Sequence, residues 1–237
     1  MTWRADTTRR MGQRVSELIE NFDACCDAFD RANLFTGPSA YFHSKTIALL
    51  RQYKSPGDAI LDKSFLESLY ATLTAWGMHR MGPGNTKLVD FKLLVDGFGQ
   101  FGHVIRKLSA VRIVDLPSDE IGHVSDQVWA IISKLRIGQG ETKIVAGSKA
   151  LHHVLPDLVP PIDREYTIRF FFHHKSLSQG DRAAFHEMFP YFCRIATESR
   201  RKIETRIGKG MNTSTAKVID NAIVGFVLSR LKKAADA

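Results

Sequence analysis

Apolar residues along the chain return at steps of three and four almost throughout, which is the period of amphipathic helices and not of strands. Val15, Leu18, Ile19, Phe22, Cys26 and Phe29 mark a first helix over about 8–30, broken by the stretch from Asn33 to Pro38. A second carries Tyr41, Ile47 and Leu50 and stops near Ser55-Pro56-Gly57-Asp58. A third carries Phe65, Leu66, Leu69, Leu73 and Trp76 and ends at Gly82-Pro83-Gly84, because glycine and proline both punctuate helices. A fourth spans about 87–108, weakened by Gly97, Gly99 and Gly102, and a fifth about 124–137. Beyond Gly138-Gln139-Gly140 the pattern predicts helices over about 141–155, 164–174, 181–207 with a kink or break at Pro190, and 214–234. The apolar run Val111–Val114 is too short to found a sheet. The expectation is an all-α protein of about ten helices in two lobes around a cleft, formed by 1–237 as one domain.

Composition narrows the function classes. The 44% hydrophobic and 24% charged fractions are those of a globular chain. No apolar run approaches the roughly 18 residues of a membrane span, and the polar, basic N-terminus lacks a signal-like apolar segment, so a cytoplasmic setting is expected. Cys25, Cys26 and Cys193 supply neither a disulfide framework nor four thiolates for a zinc ribbon or an iron–sulfur cluster. The net charge is +8, and residues 191–237 hold ten Lys and Arg against four Asp and Glu. Such lopsided basicity suits a polyanion, with a solubility feature as the plainer reading. Arg200 and Arg201, with Arg194, Lys202, Arg206 and Lys209, form the basic flank expected to meet phosphates; a solvated helical face is the alternative.

The densest chemistry lies in about 124–174. Gly138-Gln139-Gly140 joins two helices by a short turn in which glycines can take positive φ. Backbone N–H groups at the start of the next helix would then suit a phosphate oxygen, with Lys143 adding charge; an ordinary glycine-closed corner is the alternative. On that next helix Ile144, Gly147, Ser148, Leu151 and Leu155 share one face, where Gly147 and Ser148 permit a close crossing and His153 points away. Pro160-Pro161-Ile162-Asp163 then holds Asp163 rigidly where an N-cap or a functional carboxylate belongs.

These parts in this order resemble the helix-hairpin-helix DNA glycosylases. In that superfamily a glycine hairpin grips DNA phosphate, the following helix can open with a catalytic lysine, and a proline-containing turn about twenty residues later delivers an essential aspartate. Gly138-Gln139-Gly140-Glu141-Thr142-Lys143 and Pro161-Ile162-Asp163 are the matching stretches, with twenty residues between Lys143 and Asp163. A competing register sets Gly147-Ser148-Lys149 on the lysine motif, fourteen residues before Asp163. Gln139 stands where the family usually has an apolar residue.

The resemblance implies a glycosylase that flips and excises a damaged or modified base from double-stranded DNA, in repair or in defence against phage DNA with modified bases. It implies a monomer that needs no membrane and no cofactor or metal. Asp163 would stabilise the oxocarbenium-like sugar or activate water. Lys143, or alternatively Lys149, would attack C1′ if the enzyme is also a lyase. Gly138, Gln139, Gly140, Thr142 and Arg164 would join Arg200 and Arg201 on DNA. Tyr41, His43, Trp76, His79 and Arg80 are the candidate pocket for the flipped base, with core packing of Trp76 and Met78 and a solvated helix end at Arg80 as the alternative. Two rival functions remain: a non-catalytic DNA-binding protein using the same hairpin and basic face, and a helical metal-dependent enzyme built on His152-His153, His173-His174 and Asp163.

Overall fold

The computed structural model describes residues 3–78 and 87–232, and throughout them the chain is helical, with no strand. The helices are α1 (Trp3–Glu20), α2 (Phe22–Ala32), α3 (Pro38–Leu50), α4 (Pro56–Ala59), α5 (Lys63–Leu73), α6 (Phe91–Gly99), α7 (Gly102–Leu108), α8 (Ile121–Lys134), α9 (Ile144–His152), α10 (Arg169–Phe172), α11 (Asp181–Glu198), α12 (Arg200–Arg206) and α13 (Thr215–Phe226). Wide helical turns at Thr74–Met78, Arg164–Ile168 and Val227–Lys232 extend three of the helical runs. Among the described residues no helix is long and apolar enough to cross a membrane.

The all-helical expectation holds, whereas several expected long helices are divided. The first breaks at Asn21, between α1 and α2. The fourth breaks at Gln100–Phe101, beside Gly99 and Gly102. The segment over 141–155 is helical only as α9, and 164–174 only as a wide turn followed by α10. Helix α11 runs through Pro190 and stops at Ser199 instead. At Asn21 and Ser199 the backbone turns locally, at φ −104°, with helical hydrogen bonds kept on either side: Asn21 N–H donates to Glu17 O (3.1 Å) and Cys25 N–H to Asn21 O (3.0 Å), as Ser199 N–H does to Ile195 O (3.0 Å) and Ile203 N–H to Ser199 O (3.0 Å).

At the centre lies α13, every residue of which is buried from Thr215 to Phe226. A helix apolar nearly all round belongs inside. It meets α2 at Gly225, where an added Cβ would fall 1.8 Å from the carbonyl oxygen of Cys25. A second close crossing joins α8 and α9: a Cβ on Gly147 would lie 2.8 Å from Ile132 Cγ2 and 3.0 Å from its carbonyl oxygen. That matches the close approach expected of Gly147. Ile144, Ser148 and Leu151 are buried on the same face.

Candidate functional site

Three segments are brought together by local chemistry. The first is the glycine turn between α8 and α9. Val89 N–H donates to Ile137 O (3.1 Å), and Gln139 N–H donates to Lys87 O (2.8 Å). Gln139 Nε2 adds a bond to Leu88 O (3.3 Å). The turn is thus an anchor for the Lys87–Val89 stretch, and neither Gly138 nor Gly140 has a positive φ, contrary to expectation. The polar Gln139 finds its reason here.

The start of α9 also differs from expectation. Lys143 N–H and Ile144 N–H both donate to Asp181 Oδ2, at 2.6 and 3.0 Å. The positive end of a helix attracts an anion, and the first residue of α11 supplies one from within the chain. A carboxylate therefore holds the place expected for a phosphate. Lys143 Nζ turns back to Gly140 O (3.0 Å). Arg164 Nη2 donates to Thr142 Oγ1 (3.0 Å), tying the glycine turn to the segment after Asp163.

The second segment is the proline turn. Ser148 Oγ, on the buried face of α9, accepts from Ile162 N–H (3.0 Å) and so fixes the backbone next to Asp163. Asp163 Oδ1 accepts from Tyr166 N–H (2.7 Å), the N-cap bond expected of it. Among the described residues its second oxygen has no hydrogen-bond partner, and Asp163 stands on the wall of a cavity of about 320 Å³. Capping and facing a pocket are both achieved by one carboxylate.

That cavity is lined by Phe35, Ser39, Ala75, Trp76, Gly77, Lys149, Pro161, Asp163, Lys217 and Asp220. Gly77 at φ 82° lets the wide turn after α5 reverse and present Trp76. The Trp76 indole N–H donates to Ser39 O (3.2 Å), which fixes the ring against the first turn of α3. Lys149 Nζ lies 5.9 Å from the Trp76 ring centroid. Of the two candidate lysines, Lys149 shares the cavity with Asp163 and Lys143 does not.

The third segment, α13, brings residues that sequence reasoning missed. Lys217, only 1% exposed, pairs with Asp220 Oδ2 (2.5 Å) and donates to Asn221 Oδ1 (2.7 Å). Asn221 is itself oriented, because its Nδ2 donates to Asn212 Oδ1 (2.8 Å). Burial pushes the Asp220 carboxyl up; the Lys217 ammonium opposes that shift and the nearby Asp163 charge adds to it. The signal was present in Thr215-Ala216-Lys217-Val218-Ile219-Asp220-Asn221. Two opposite charges three residues apart sit in a helix too apolar to lie on the surface.

Behind Trp76 lies a buried histidine cluster. The His153 Nδ1–H donates to Lys149 O (2.8 Å), so its Nε2 accepts from the His43 Nδ1–H (2.9 Å), and His43 Nε2 in turn accepts from the Thr213 hydroxyl (2.8 Å). His152 Nδ1–H donates to Val159 O (2.8 Å), while its buried Nε2 has no partner among the described residues. Burial holds His43 and His152 well below the usual imidazole range and His153 at about 4, and Lys217 adds to each shift. The His43 ring stacks on Trp76 at 5.3 Å.

The other expected site residues separate. His43 is buried behind the pocket wall and His153 faces inward, not away. Tyr41 is 60% exposed and lines a different cavity, with Phe29, Leu34 and Met211. His79 and Arg80 lie outside the described residues. Arg200 is engaged by Asp115 (2.7 Å) and Val114 O (2.7 Å), whereas Arg201 is exposed. Arg206 meets Asp23, Asp27 and Asp30, so much of the basic flank is neutralised within the fold. Among the described residues no three His, Cys, Asp or Glu side chains converge to hold a metal ion, which leaves the metalloenzyme alternative without a ligand set there. Burial pushes the thiols of Cys26 and Cys193 up to about 12, far from the thiolate a nucleophile needs. No protein-family model, curated protein or solved structure matches the chain.

Proposed function

We propose that the protein is a DNA N-glycosylase that takes a damaged or modified base out of the duplex and hydrolyses its bond to the sugar. One observation carries this reading: the carboxylate of Asp163 and the ammonium of Lys149 share a cavity walled by Trp76. A planar base stacks on an aromatic wall once extruded. The Asp163 oxygen left over from capping is the group to balance positive charge developing at C1′ or to accept a proton from attacking water. Lys149 supplies a cation beside the same carbon. With the amides at the start of α9 occupied by Asp181, phosphate contact falls to side chains around the turn, Arg136, Lys143 and Arg164.

The decisive experiment incubates the purified protein with duplexes that each carry one modified base and scores abasic sites. Asp163→Asn keeps a side-chain oxygen for the N-cap, so the variant is expected to fold and to bind DNA while losing excision by at least about 100-fold, the scale of general acid–base and electrostatic contributions. DNA binding without abasic sites on any substrate would instead identify a non-catalytic binder.

A further inference from the structure

We propose that Lys217 makes this cavity select neutral, carbonyl-bearing bases and reject cationic, alkylated ones. The inference rests on the reading of the cavity as a base pocket and adds the class of base it takes.

The argument begins with hydrogen-bond capacity. An ammonium carries three N–H donors. Asp220 Oδ2 and Asn221 Oδ1 take two of those on Lys217, and among the described residues the third has no protein acceptor. Lys217 is buried yet lines the cavity, so an acceptor brought by a ligand would satisfy that donor. Asp220 lines the cavity beside it, and only its Oδ2 is bonded within the described residues. Ammonium and carboxylate side by side complement a ring C=O adjacent to a ring N–H, the edge of uracil, hypoxanthine and oxidised purines.

The aromatic surroundings point the same way. An aromatic box lined with carboxylates ordinarily favours a cation. Here the chain's own ammonium has taken that place: Lys217 Nζ lies 5.2 Å from the Phe35 ring centroid, 5.7 Å from Phe29 and 5.7 Å from Trp76. Lys149 lies over Trp76 as well. The cavity charges are two positive, Lys149 and Lys217, and two negative, Asp163 and Asp220. A cationic base would meet a like charge where a neutral carbonyl meets a donor.

Binding to the whole protein tests this without reference to catalysis. Free uracil and hypoxanthine serve as neutral probes and 1-methylnicotinamide as a planar cation, read by ligand-observed NMR. The wild type is expected to bind a neutral probe at least about tenfold more tightly than the cation. Lys217→Met is expected to lose that preference or invert it. Because this leaves Asp220 buried without its partner, the charge-balanced double variant Lys217→Met/Asp220→Asn is measured alongside, with the same expectation.

Equal or tighter binding of the cation by the wild type overturns the proposal, as does failure of both neutral probes to bind. A preference that survives in the double variant also overturns it. Duplex assays separate the two readings. Excision of 7-methylguanine with uracil, hypoxanthine and 8-oxoguanine ignored would sink the selectivity and leave the glycosylase. Lys217-dependent binding of uracil or hypoxanthine with no abasic product on any duplex would sustain the selectivity and sink the glycosylase.

Discussion

Asp163 serves two ends because a carboxylate has two oxygens. One caps the turn at Tyr166 and the other remains at the cavity wall. Removing the cap with Asp163→Ala should cost about 0.5–2 kcal/mol of stability, whereas Asp163→Asn should cost far less, and urea unfolding of both variants reads the difference. If the two variants unfold alike, the capping bond contributes nothing. The lysine question belongs at the same scale. If the proposed enzyme also cleaves strands, borohydride should trap a protein–DNA adduct that disappears in Lys149→Gln and persists in Lys143→Gln, since of these two lysines Lys149 alone shares the cavity with Asp163. The reverse pattern would remove Lys149 from the chemistry.

What the sequence disclosed at this scale was uneven, for physical reasons. Asp163 was legible because prolines and an N-cap position are local signals. The choice between Lys143 and Lys149 was not, because it depends on Asp181, a residue far along the chain that caps α9 and leaves Lys143 Nζ folded back on Gly140. Lys217 and Asp220 escaped notice because charge in a helix normally means a wet face.

Elements tell a parallel story. The three-and-four spacing reveals the helices, and Gly147 marks a close crossing, because periodicity and small residues are local properties. The breaks at Asn21 and Ser199 are not visible in the spacing, since buried apolar residues keep step across both, Leu18 and Phe22 at the first and Ala196 and Ile203 at the second. Gly225 had no local signal; its need appears only when α13 meets the backbone of α2. At Gly225 the space is so tight that Gly225→Ala must displace one helix, with an expected loss of about 3 kcal/mol or more of stability. Gly147→Ala, which meets Ile132 at a longer distance, should cost less, about 1–3 kcal/mol. Denaturant midpoints of the two variants check the ranking, and a Gly225→Ala protein as stable as the wild type would refute the close-contact account.

Across the whole molecule, the consequence of burying three histidines next to Lys217 is a dependence of stability on pH. His43, His152 and His153 are neutral in the fold and titrate below the usual 6.5, His153 at about 4. The unfolded chain therefore binds more protons once the pH drops below about 6.5. Stability should be level in this respect above that value and fall on acidification down to about pH 4, each histidine adding a slope of up to about 1.4 kcal/mol per pH unit. The raised Asp220 works in the opposite sense and offsets part of the loss. Urea midpoints at pH 7.5, 6.5, 5.5 and 4.5 measure the net slope, and a flat profile would mean that the cluster takes up protons without unfolding.

Phe35 borders two chambers at once, the one holding Asp163 and the one holding Tyr41. It sits in the short connection between Asn33, at φ 46°, and Gly37, at φ 59°. One side chain thus contributes wall to both compartments, so a change at this position is felt in each. Phe35→Ala is therefore expected to enlarge both spaces together, so that neither can be reshaped at this residue without the other.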